Sequence, residues 1–593
     1  MKSKKIIALV LALVVLLSMA LVGCGKKPSE DGINKVLDYY VSAEPETIDP
    51  HQVWSSSGIF FDNMFMEGLT RLGKEEGEVI PGMATSWEYH EDTNSYTFEL
   101  RDGIKWSNGD PVTAEDFFFG WRYALDVNSV YSFLITDYIA GAADYAAYDK
   151  STYLSEVDPS FNGLSDEEKA KRIDEMTEEE LQGYKAKKDE LWSKVGISTK
   201  NNGKTIEVKL ALPAPFFPSL MAFPTFYPAN EKFYNEHKDN YMLEAETTLA
   251  NGPWKLVEWK HDDSLKLVRN EHYWNTDNIN IDEINTRIIT EVETRTNLLK
   301  TGELDGSAIQ SKDLPDFQDL ATLDSLNLQK LTDMPDYAVF YYEFNHFNNP
   351  ITKNANIRKA MAYAMDREGM VENINLGDIP AYAFIPTHFP GLNKSFREEN
   401  GEKLFEADLE KAKEFLQKGL EELGLDELPP LDVLVDEGEI GRKIGQKYQA
   451  DWARIGIKVN IIEVPWAEKL NRLRNGDFAV CGSGWGPDYL DPMTYLDIFT
   501  TGNGSNSGQY SNPKYDELIA NAKKETDAKK RMEYLYEAEK LLIDDMVIVP
   551  SYYRMAHWTF KKYVKGVVHR GSGATTDFYW ADIDMNAKNA QKK

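Results

Sequence analysis

Cysteine is nearly absent from this chain of 593 residues, in which only Cys24 and Cys481 occur. If Cys24 is covalently modified, no internal disulfide can form, and stability must come from buried apolar side chains. Hydrophobic residues make up 42% of the chain, enough for a large core. The length exceeds what one hydrophobic core usually holds, so we expect two or more lobes.

Basic residues are also scarce relative to acidic ones, with 66 Lys and Arg against 97 Asp and Glu and a net charge of −31. Binding to nucleic acid requires a basic surface that neutralises phosphates, so the composition excludes a nucleic-acid partner. The acidic surface can attract cationic ligands or simply keep the protein soluble, and we favour the second interpretation.

Sequence motifs of metal, nucleotide and nucleophile chemistry are missing. The nine His residues form no His-Glu-x-x-His pattern and no Cys/His pair at metal-ligand spacing, so we expect no metal site and no cofactor. There is no P-loop and no Gly-x-Ser-x-Gly elbow. Ser511 and Lys514 match Ser-x-x-Lys, and residues 300–302 match Lys-Thr-Gly, but the companion Ser-Asp-Asn motif is missing. Carboxylates are too numerous for counting to exclude a glycosidase pair.

The chain contains a single long apolar run, residues 6–22, which follows Lys2, Lys4 and Lys5. This layout predicts a secretory signal peptide over residues 1–23. The sequence LVGC at residues 21–24 resembles the bacterial lipobox, which implies cleavage before Cys24 and its lipidation. An uncleaved membrane helix is the alternative, although 17 residues reach only about 25 Å. We therefore expect residues 24–34 to form a polar tether and a lipid on Cys24 to anchor the protein at the extracellular face of the cell membrane.

The first half of the folded body shows strand patterns. Tyr96, Phe98 and Leu100 alternate with polar residues, and Asp102-Gly103 predicts a hairpin turn into a strand through Ile104 and Trp106. A second turn is predicted at residues 108–109, and a capping box at residues 113–116. Residues 165–194 are highly charged and contain two further capping boxes, at residues 165–168 and 177–180. They predict a helical hairpin inserted on the surface, although a coiled-coil partner site is an alternative.

The second half alternates between helix and strand patterns. Helices are predicted over residues 356–376, 408–423, 441–455, 466–474, 512–525 and 527–545, and strands over residues 431–435, 457–464, 478–482 and 547–553. Strands that alternate with helices of this length predict βαβ units and a mostly parallel sheet.

Several motifs together resemble one family, the peptide/nickel-type (family 5) substrate-binding proteins of ABC importers. They are EPETIDP at residues 44–50, Trp87, YTFELRDGIKWSNG at 96–109, DPVTAEDF at 110–117, NGPWK at 251–255, RN at 269–270 with YW at 273–274, IRKAMAYAMDR at 357–367, WGPDYLDP at 485–492, and AE at 538–539 running to Pro550. The resemblance runs from about residue 36 to residue 580. Each motif alone is weak, whereas their order and spacing are specific.

The resemblance implies an α/β, two-lobed, periplasmic-binding-protein-like (class II) fold with an extra subdomain in the first lobe. Lobe I is expected over residues 35–300, lobe II over residues 301–555, and a return to lobe I over residues 556–593. The extra subdomain is expected over residues 68–203 and includes the helical insert 165–194. The chain then crosses between the lobes near residues 300 and 555, which fits hinge closure over a ligand.

The resemblance also implies that an oligopeptide is the ligand and that Asp488 pairs with its ammonium group. An ammonium buried between closed lobes needs a carboxylate, because an unpaired buried charge is costly. Asp488 can instead cap the turn at Pro487. Gly484 and Gly486 would let a ligand backbone approach closely, Trp485 would line a side-chain pocket or be a core residue, and Tyr489 joins the same site.

On the other lobe, the resemblance places Tyr131, Ser132 and Phe133 in a segment whose backbone pairs with the peptide, and it places Trp54 near the ligand. Tyr131 can equally pack against the helix of Trp121. One departure stands out: relatives that prefer very short peptides have an Arg just before the Trp loop, where this chain has Cys481-Gly482-Ser483. The ligand's carboxyl end is therefore expected to be free, or the ligand to differ.

The predicted function is that of a non-enzymatic, monomeric receptor that closes over an oligopeptide and delivers it to the permease subunits of an ABC importer. Two alternatives stay open. The same fold can carry another cargo, such as an oligosaccharide or a nickel chelate. A surface hydrolase with an aromatic cleft is a rival of a different class.

Overall fold

The computed structural model describes residues 34–591. The predicted signal peptide, Cys24 and all of the tether except residue 34 lie outside the described residues. Within residues 34–591, no helix combines the length and the apolar character that crossing a membrane requires. The predicted first lobe is residues 35–300 with residues 556–593, of which 35–300 and 556–591 are described, and the predicted second lobe is residues 301–555; this division stays a prediction.

The first lobe contains two four-stranded sheets. One has the order β1, β10, β9, β8, and the other has the order β4, β5, β7, β6. The strands of this half are β1 (Val36–Val41), β2 (Thr70–Leu72), β3 (Val79–Pro81), β4 (Ala84–His90), β5 (Ser95–Leu100), β6 (Ile197–Lys200), β7 (Thr205–Lys209), β8 (Trp254–Lys260), β9 (Ser264–Arg269) and β10 (Glu283–Ile288). Its helices are α1 (Ser56–Phe65), α2 (Ala114–Asp126), α3 (Ser132–Tyr138), α4 (Ala142–Ala147), α5 (Lys150–Val157), α6 (Asp166–Asp174), α7 (Glu178–Trp192), α8 (Phe217–Leu220), α9 (Glu231–His237) and α10 (Val292–Thr301).

The charged insert is the helical hairpin that its sequence predicts. Helices α6 and α7 begin at the capping boxes of Ser165 and Thr177, where Glu168 and Glu180 return hydrogen bonds to the cap residues. Each box satisfies backbone N–H groups that the first turn of a helix leaves unpaired. An ion pair between Arg172 of α6 and Glu180 of α7 joins the two helices.

The hairpin predicted at Asp102-Gly103 is wrong. A turn is present there, but β5 pairs with β4 and β7 rather than with the segment that follows it. That segment forms only an isolated bridge between Lys105 and Pro111 around the predicted turn at residues 108–109. Alternation in sequence fixes which side chains share a face, whereas the neighbour of a strand is chosen by tertiary packing.

The second lobe is built on one larger sheet in the order β11, β17, β12, β16, β14, β15, with β13 paired to β17. Its strands are β11 (Gly306–Ala308), β12 (Thr332–Phe344), β13 (Ile379–Pro380), β14 (Leu431–Asp436), β15 (Val459–Val464), β16 (Val480–Trp485) and β17 (Ile548–Phe560). Its helices are α11 (Leu314–Gln318), α12 (Leu320–Ser325), α13 (Ala355–Ala364), α14 (Arg367–Asn373), α15 (Phe396–Asn400), α16 (Leu409–Leu423), α17 (Glu439–Ala453), α18 (Trp466–Asn475), α19 (Met493–Leu496), α20 (Pro513–Lys524) and α21 (Ala528–Asp544).

The prediction of a mostly parallel sheet is wrong, because this sheet is mixed. β14 pairs in parallel with β15 and β16, whereas β12 pairs antiparallel with both β16 and β17. The helix–strand alternation correctly marks the parallel part. The antiparallel part arises mainly from β12 and β17, two long strands that are far apart in sequence. No local sequence pattern predicts that they pair.

The helix predicted over residues 356–376 is interrupted. α13 ends before Met365, and α14 begins after Asp366, whose side chain accepts the backbone N–H of Gly369. The buried guanidinium of Arg367 donates to the carbonyl oxygens of Met365 and Pro550, at 3.1 and 2.7 Å. These bonds satisfy backbone oxygens at the break between α13 and α14. The apolar spacing of the sequence does not reveal this break.

The C-terminal segment packs on the first lobe. It contains β18 (Val564–Lys565), β19 (Val568–His569), β20 (Thr576–Asp577), β21 (Asp582–Ile583) and α22 (Met585–Gln591). The ammonium group of Lys588 lies 2.8 Å from the carbonyl oxygen of Val36 and 2.6 Å from the carboxylate of Asp305. The ring of Tyr39 stacks on Phe560, at the end of β17. These contacts hold the end of the chain against its first strand.

Candidate ligand-binding cleft

The end of β16 offers an unpaired backbone edge. β14 pairs with this strand only at Val480 and Cys481, whereas β16 continues to Trp485 and pairs along its other side with β12. Residues 482–485 therefore have no strand partner on the β14 side within residues 34–591. An extended peptide can add to such an edge, so that main-chain hydrogen bonds provide affinity independent of the peptide's sequence.

A lysine lies where β14 and β16 separate. The ammonium of Lys469 from α18 donates to the carbonyl oxygen of Gly482 at 3.1 Å and forms an ion pair with Asp436. No cation was expected beside residues 481–483, and the tertiary structure supplies one from a helix. Asp436 neutralises it, and the Lys469 side chain is only 2% exposed.

The two predicted glycines lie at the surface of the cleft but differ in their surroundings. A Cβ atom at Gly484 would lie 2.9 Å from the ring of Phe340, so this glycine makes room for an aromatic side chain of the protein itself. A Cβ atom at Gly486 would meet nothing within 4 Å. Gly486 is thus the position where an approaching ligand backbone has open space.

Trp485 ends β16 and packs at the edge of the main hydrophobic core. Trp485 is half-buried. One part of its side chain packs on the core and the rest is accessible from the cleft, so both predicted roles apply in part. Its indole N–H has no hydrogen-bond acceptor within residues 34–591. A buried indole N–H usually finds a partner, so this donor is available to a ligand carbonyl.

The carboxylate of Asp488 lies beside this edge without a partner. Its backbone N–H donates to the hydroxyl of Thr494 at 3.1 Å, but no described residue donates a hydrogen bond to its carboxylate or pairs with it. Burial, uncompensated by any donor, raises the pKa of Asp488 to about 7. A carboxylate without a partner is strongly stabilised when a cation binds next to it.

Tyr131 of the first lobe faces Asp488. Burial raises the pKa of the Tyr131 phenol well above its usual value, and the charges of Asp488 and Glu46 raise it further. Glu46 also accepts the backbone N–H groups of Trp54 and Ser55, each at 2.9 Å, so Trp54 is held near the same group. The indole of Trp54 is 44% exposed. Tyr131 also packs edge-on against Phe223, at 4.9 Å between ring centres.

Ser132 and Phe133 form the first turn of α3, with Tyr131 as the N-cap. The side chain of Phe133 is 37% exposed and that of Ser132 is half-buried. The backbone N–H of Ser132 donates to the carbonyl oxygen of Ser129, and that of Tyr131 donates to the Ser129 hydroxyl. These two donors are therefore engaged within the segment, which begins a helix and does not present a strand edge.

Tyr489 joins the two lobes. Its ring stacks on Phe216 of the first lobe, with 4.7 Å between ring centres and 12° between planes. Its hydroxyl lies 3.3 Å from the hydroxyl of Tyr138 on α3. Lys523 of α20 adds an ion pair of 3.5 Å with Asp137. The structure therefore has the lobes in contact beside Asp488.

A cavity of about 740 Å³ lies next to this contact. It is lined by residues 213–216 of the first lobe and residues 488–491 of the second, among others. Of the predicted site residues, it includes Asp488 and Tyr489 but not Trp485, Gly484, Gly486 or Tyr131. The cavity thus reaches Asp488 without including residues 484–486 of the free strand edge, and its size is typical of pockets for small ligands.

The structure brings most of the predicted residues to one cleft and adds others that sequence reasoning missed. Glu46, Phe216, Phe340 and Lys469 all contact or face the predicted site. Glu46 belongs to a motif of the family resemblance, which is a signal that could have pointed to it. The other three carry no signal of their own in the sequence, because only folding brings them to the cleft.

Comparison with known proteins supports one assignment. The model of the family described as bacterial extracellular solute-binding proteins, family 5 Middle, matches residues 78–507. The chain is 32% identical over 561 residues to the oligopeptide-binding protein OppA of Bacillus subtilis, covering 93% of each chain. It is 32% identical over 581 residues to the dipeptide-binding protein DppE of the same organism, covering 95% of this chain and 97% of DppE.

Solved structures agree with this result. The substrate-binding domain of an oligopeptide ABC transporter from Bacillus anthracis is 30% identical, with a TM-score of 0.75 and coverage of 94% of this chain and 100% of that one. Listeria monocytogenes OppA bound to peptide is 28% identical, with a TM-score of 0.75 and coverage of 93% and 99%. The predicted two-lobed α/β fold is confirmed by these neighbours. The chain belongs to the bacterial extracellular solute-binding proteins of family 5.

Proposed function

We propose that this chain is a peptide receptor that closes over an oligopeptide and delivers it to the permease subunits of an ABC importer. The observation that carries the proposal is the unpartnered carboxylate of Asp488 beside the unpaired edge of β16. Every peptide presents an ammonium and an extended amide backbone, and these two features match the two vacant interactions. The names of the relatives, which bind oligopeptides or dipeptides, support the same ligand class.

We propose that the role is binding without catalysis, because the relatives are named as binding proteins. Asp488 lies beside aromatic side chains and an open strand edge, an arrangement suited to holding a peptide.

Native mass spectrometry of the purified protein tests the ligand class, because closed lobes can retain their cargo. We expect a mixture of bound masses that differ by amino-acid residue masses. A single sugar-like mass, bound nickel or a bile acid would overturn the peptide assignment; one relative, 24% identical, is named a probable deoxycholate-binding protein of Escherichia coli. Hydrolysis of added peptides or glycans would overturn the assignment of binding alone.

We also propose that Cys24 carries a lipid that anchors the mature protein, as a monomer, at the extracellular face of the membrane. Two acyl chains bind a membrane far more stably than one. In cells, the Cys24→Ser variant is expected in the soluble extracellular fraction or as an uncleaved precursor, and the mature wild-type protein in the membrane fraction with an added diacylglycerol mass. An unmodified mature Cys24 would contradict the anchor.

The lobe boundaries near residues 300 and 555, and the extra subdomain over residues 68–203, are part of the same proposal. The long antiparallel pairing of β12 with β17 and the packing of the C-terminal segment on β1 both support a first lobe made of two separate chain segments.

A further inference from the structure

One arginine lies on the face of the sheet that carries the two cleft glycines. In the sheet register, Phe340 of β12 lies opposite both Gly484 of β16 and Tyr552 of β17. The rings of Phe340 and Tyr552 stack, with 4.7 Å between their centres. Arg554 follows Tyr552 by two residues, so both side chains point to the same face. Its guanidinium lies 5.3 Å from the centre of the Phe340 ring.

The hydrogen-bonding capacity of Arg554 is only partly used. Its Nε donates to the carboxylate of Asp336 at 2.5 Å, whereas its two terminal nitrogens make no hydrogen bond with any residue between 34 and 591. The side chain is 51% exposed. Surrounding protein disfavours the charged guanidinium, but Asp336 outweighs this effect and the pKa of Arg554 is raised overall. The guanidinium is thus paired with Asp336 and still accessible to a ligand.

Asp378 is the other carboxyl close to Arg554, but it bonds elsewhere. Its oxygens accept from the backbone N–H of Met555 and from the side chain of Asn375. Burial raises the pKa of Asp378 to about 7, so part of its population is neutral at physiological pH. It therefore neutralises Arg554 incompletely.

Three other cations near the cleft, all among residues 34–591, already pair with carboxylates. Lys469 is shared between Asp436 and the Gly482 carbonyl. Arg531 makes two bonds to Asp491, at 2.7 and 2.8 Å, and Lys523 contacts both Asp137 and Asp497. Arg554 differs from them because, within the described part of the chain, both of its terminal nitrogens are vacant and its guanidinium lies on Phe340, the ring beside Gly484.

We propose that Arg554 binds a carboxylate of the captured peptide through its two terminal nitrogens. This inference rests on the proposed peptide-binding function. A planar guanidinium with two vacant nitrogens matches the geometry of a carboxylate, and Asp336 and Phe340 hold it in place. Arg554 then supplies the cation that is missing from residues 481–483.

Arg554 lies on β17, which is two strands, or about 10 Å, away from β16 across β12. A carboxylate reaches it over the face of the sheet that carries Phe340, and it can be the C-terminus of the peptide or an Asp or Glu side chain.

The test compares ligands within each variant. Peptides of three to eight residues are offered as a mixture to the wild-type protein, and the best-retained sequence is identified by native mass spectrometry. This sequence is then synthesised as a free acid, as a C-terminal amide, and with its Asp or Glu residues replaced by Asn or Gln. Calorimetry measures the affinity of each form for the wild-type protein, for Arg554→Gln and for Arg554→Lys. Arg454→Gln is the matched control, because Arg454 is 53% exposed and pairs with Asp451 on the surface helix α17.

We expect Arg554→Gln to weaken binding of one carboxylate-bearing form by roughly 10- to 100-fold, and to leave binding of the matching neutral form within about twofold. If the C-terminal amide is the form that does not lose affinity, the bound carboxylate is the C-terminus. If the form with Asn or Gln does not lose affinity, the bound carboxylate is a side chain. Arg554→Lys should restore only part of the loss, since it lacks the planar fork. Equal losses for charged and neutral forms, or no loss, would refute a ligand-binding role for Arg554 and leave peptide binding intact. Failure of the wild-type protein to bind any peptide would remove the proposed function and this inference together.

Discussion

Asp488 of the second lobe faces Tyr131 of the first, and its charge adds to the effect of burial in raising the pKa of the Tyr131 phenol. The carboxylate itself has no partner within residues 34–591, and burial raises its pKa to about 7. The lobes therefore meet around a vacant acidic group. This arrangement is costly without a ligand and becomes favourable when a cation enters.

Replacing Asp488 with Asn should remove the partner of the ligand ammonium. We expect peptide affinity to fall by about 2–5 kcal/mol, or at least about 30-fold, because a buried ammonium would lose its counter-charge. Titration calorimetry measures the change. An N-acetylated form of the same peptide is the control: it should bind the wild-type protein weakly and lose nothing further in the variant. Unchanged affinity of the free-amine peptide for Asp488→Asn would show that the ammonium lies elsewhere.

Peptide affinity should depend on pH through the same carboxyl. Below about pH 7 the free protein holds a proton on Asp488 that the ammonium must displace, so affinity should fall by up to about tenfold per pH unit. Above about pH 8 the peptide amine loses its own charge and affinity should fall again. Calorimetry from about pH 5 to about pH 9 gives the profile, and the acidic limb should be absent in Asp488→Asn. A flat wild-type profile below pH 7 would contradict the prediction.

In the ligand-free protein, the carboxyl of Asp488 makes folding stability depend on pH in the opposite direction to peptide affinity. Its pKa is higher in the folded than in the unfolded state, so between about pH 4 and about pH 7 the folded state binds more protons. The contribution of Asp488 to the free energy of unfolding is therefore largest at low pH and is lost as pH rises through about 7. Comparing the pH dependence of denaturant unfolding in the wild-type protein and in Asp488→Asn isolates this contribution.

The two cleft glycines should respond differently to the same substitution. Gly484→Val places a side chain within 2.9 Å of the Phe340 ring, and we expect a loss of about 1–3 kcal/mol in the free energy of unfolding. In Gly486→Val the added Cβ atom meets no described atom within 4 Å, so stability should stay within about 0.5 kcal/mol. Its effect should instead be weaker peptide binding. Normal affinity in Gly486→Val would show that the ligand backbone does not approach this position.

Phe216 should contribute to closure through its stack on Tyr489. Phe216→Ala removes a contact between the lobes worth about 0.5–1.5 kcal/mol. We expect a larger radius of gyration of the free protein in small-angle X-ray scattering and an affinity lowered by about two- to tenfold, because less of the protein is closed. Saturating peptide should restore the compact form. Phe347→Ala is the control, since Phe347 is 64% exposed. An unchanged free-state radius in Phe216→Ala would rule out a role in closure.

Sequence reasoning predicted much of the local structure correctly. The capping boxes at Ser165 and Thr177 start α6 and α7 as expected, and the apolar spacing of residues 408–423 corresponds to α16. The family motif at residues 485–492 pointed to Asp488, which the structure places at the meeting of the lobes. Its role in ammonium binding stays a prediction.

Other features could not be read from the sequence. The pattern of residues 357–367 gives no sign that the helix breaks at Met365, where Arg367 bonds to the distant Pro550 carbonyl. The hairpin expected after residue 101 does not form, because β5 finds β7 more than a hundred residues away. Long-range partners of this kind are selected by packing, not by local propensity.

The amino-acid sequence by itself determined the export signal pattern, the class of secondary structure in each half and the loop that carries Asp488, because these depend on neighbouring residues and their spacing. Tertiary structure alone decided the mixed sheet, the unpaired edge of β16, and the positions of Lys469 and Arg554 around it. The physical reason is that the role of a charge or of a free strand edge depends on the groups that surround it. Here those surroundings come from segments up to about two hundred residues apart, brought together by burial of a shared core.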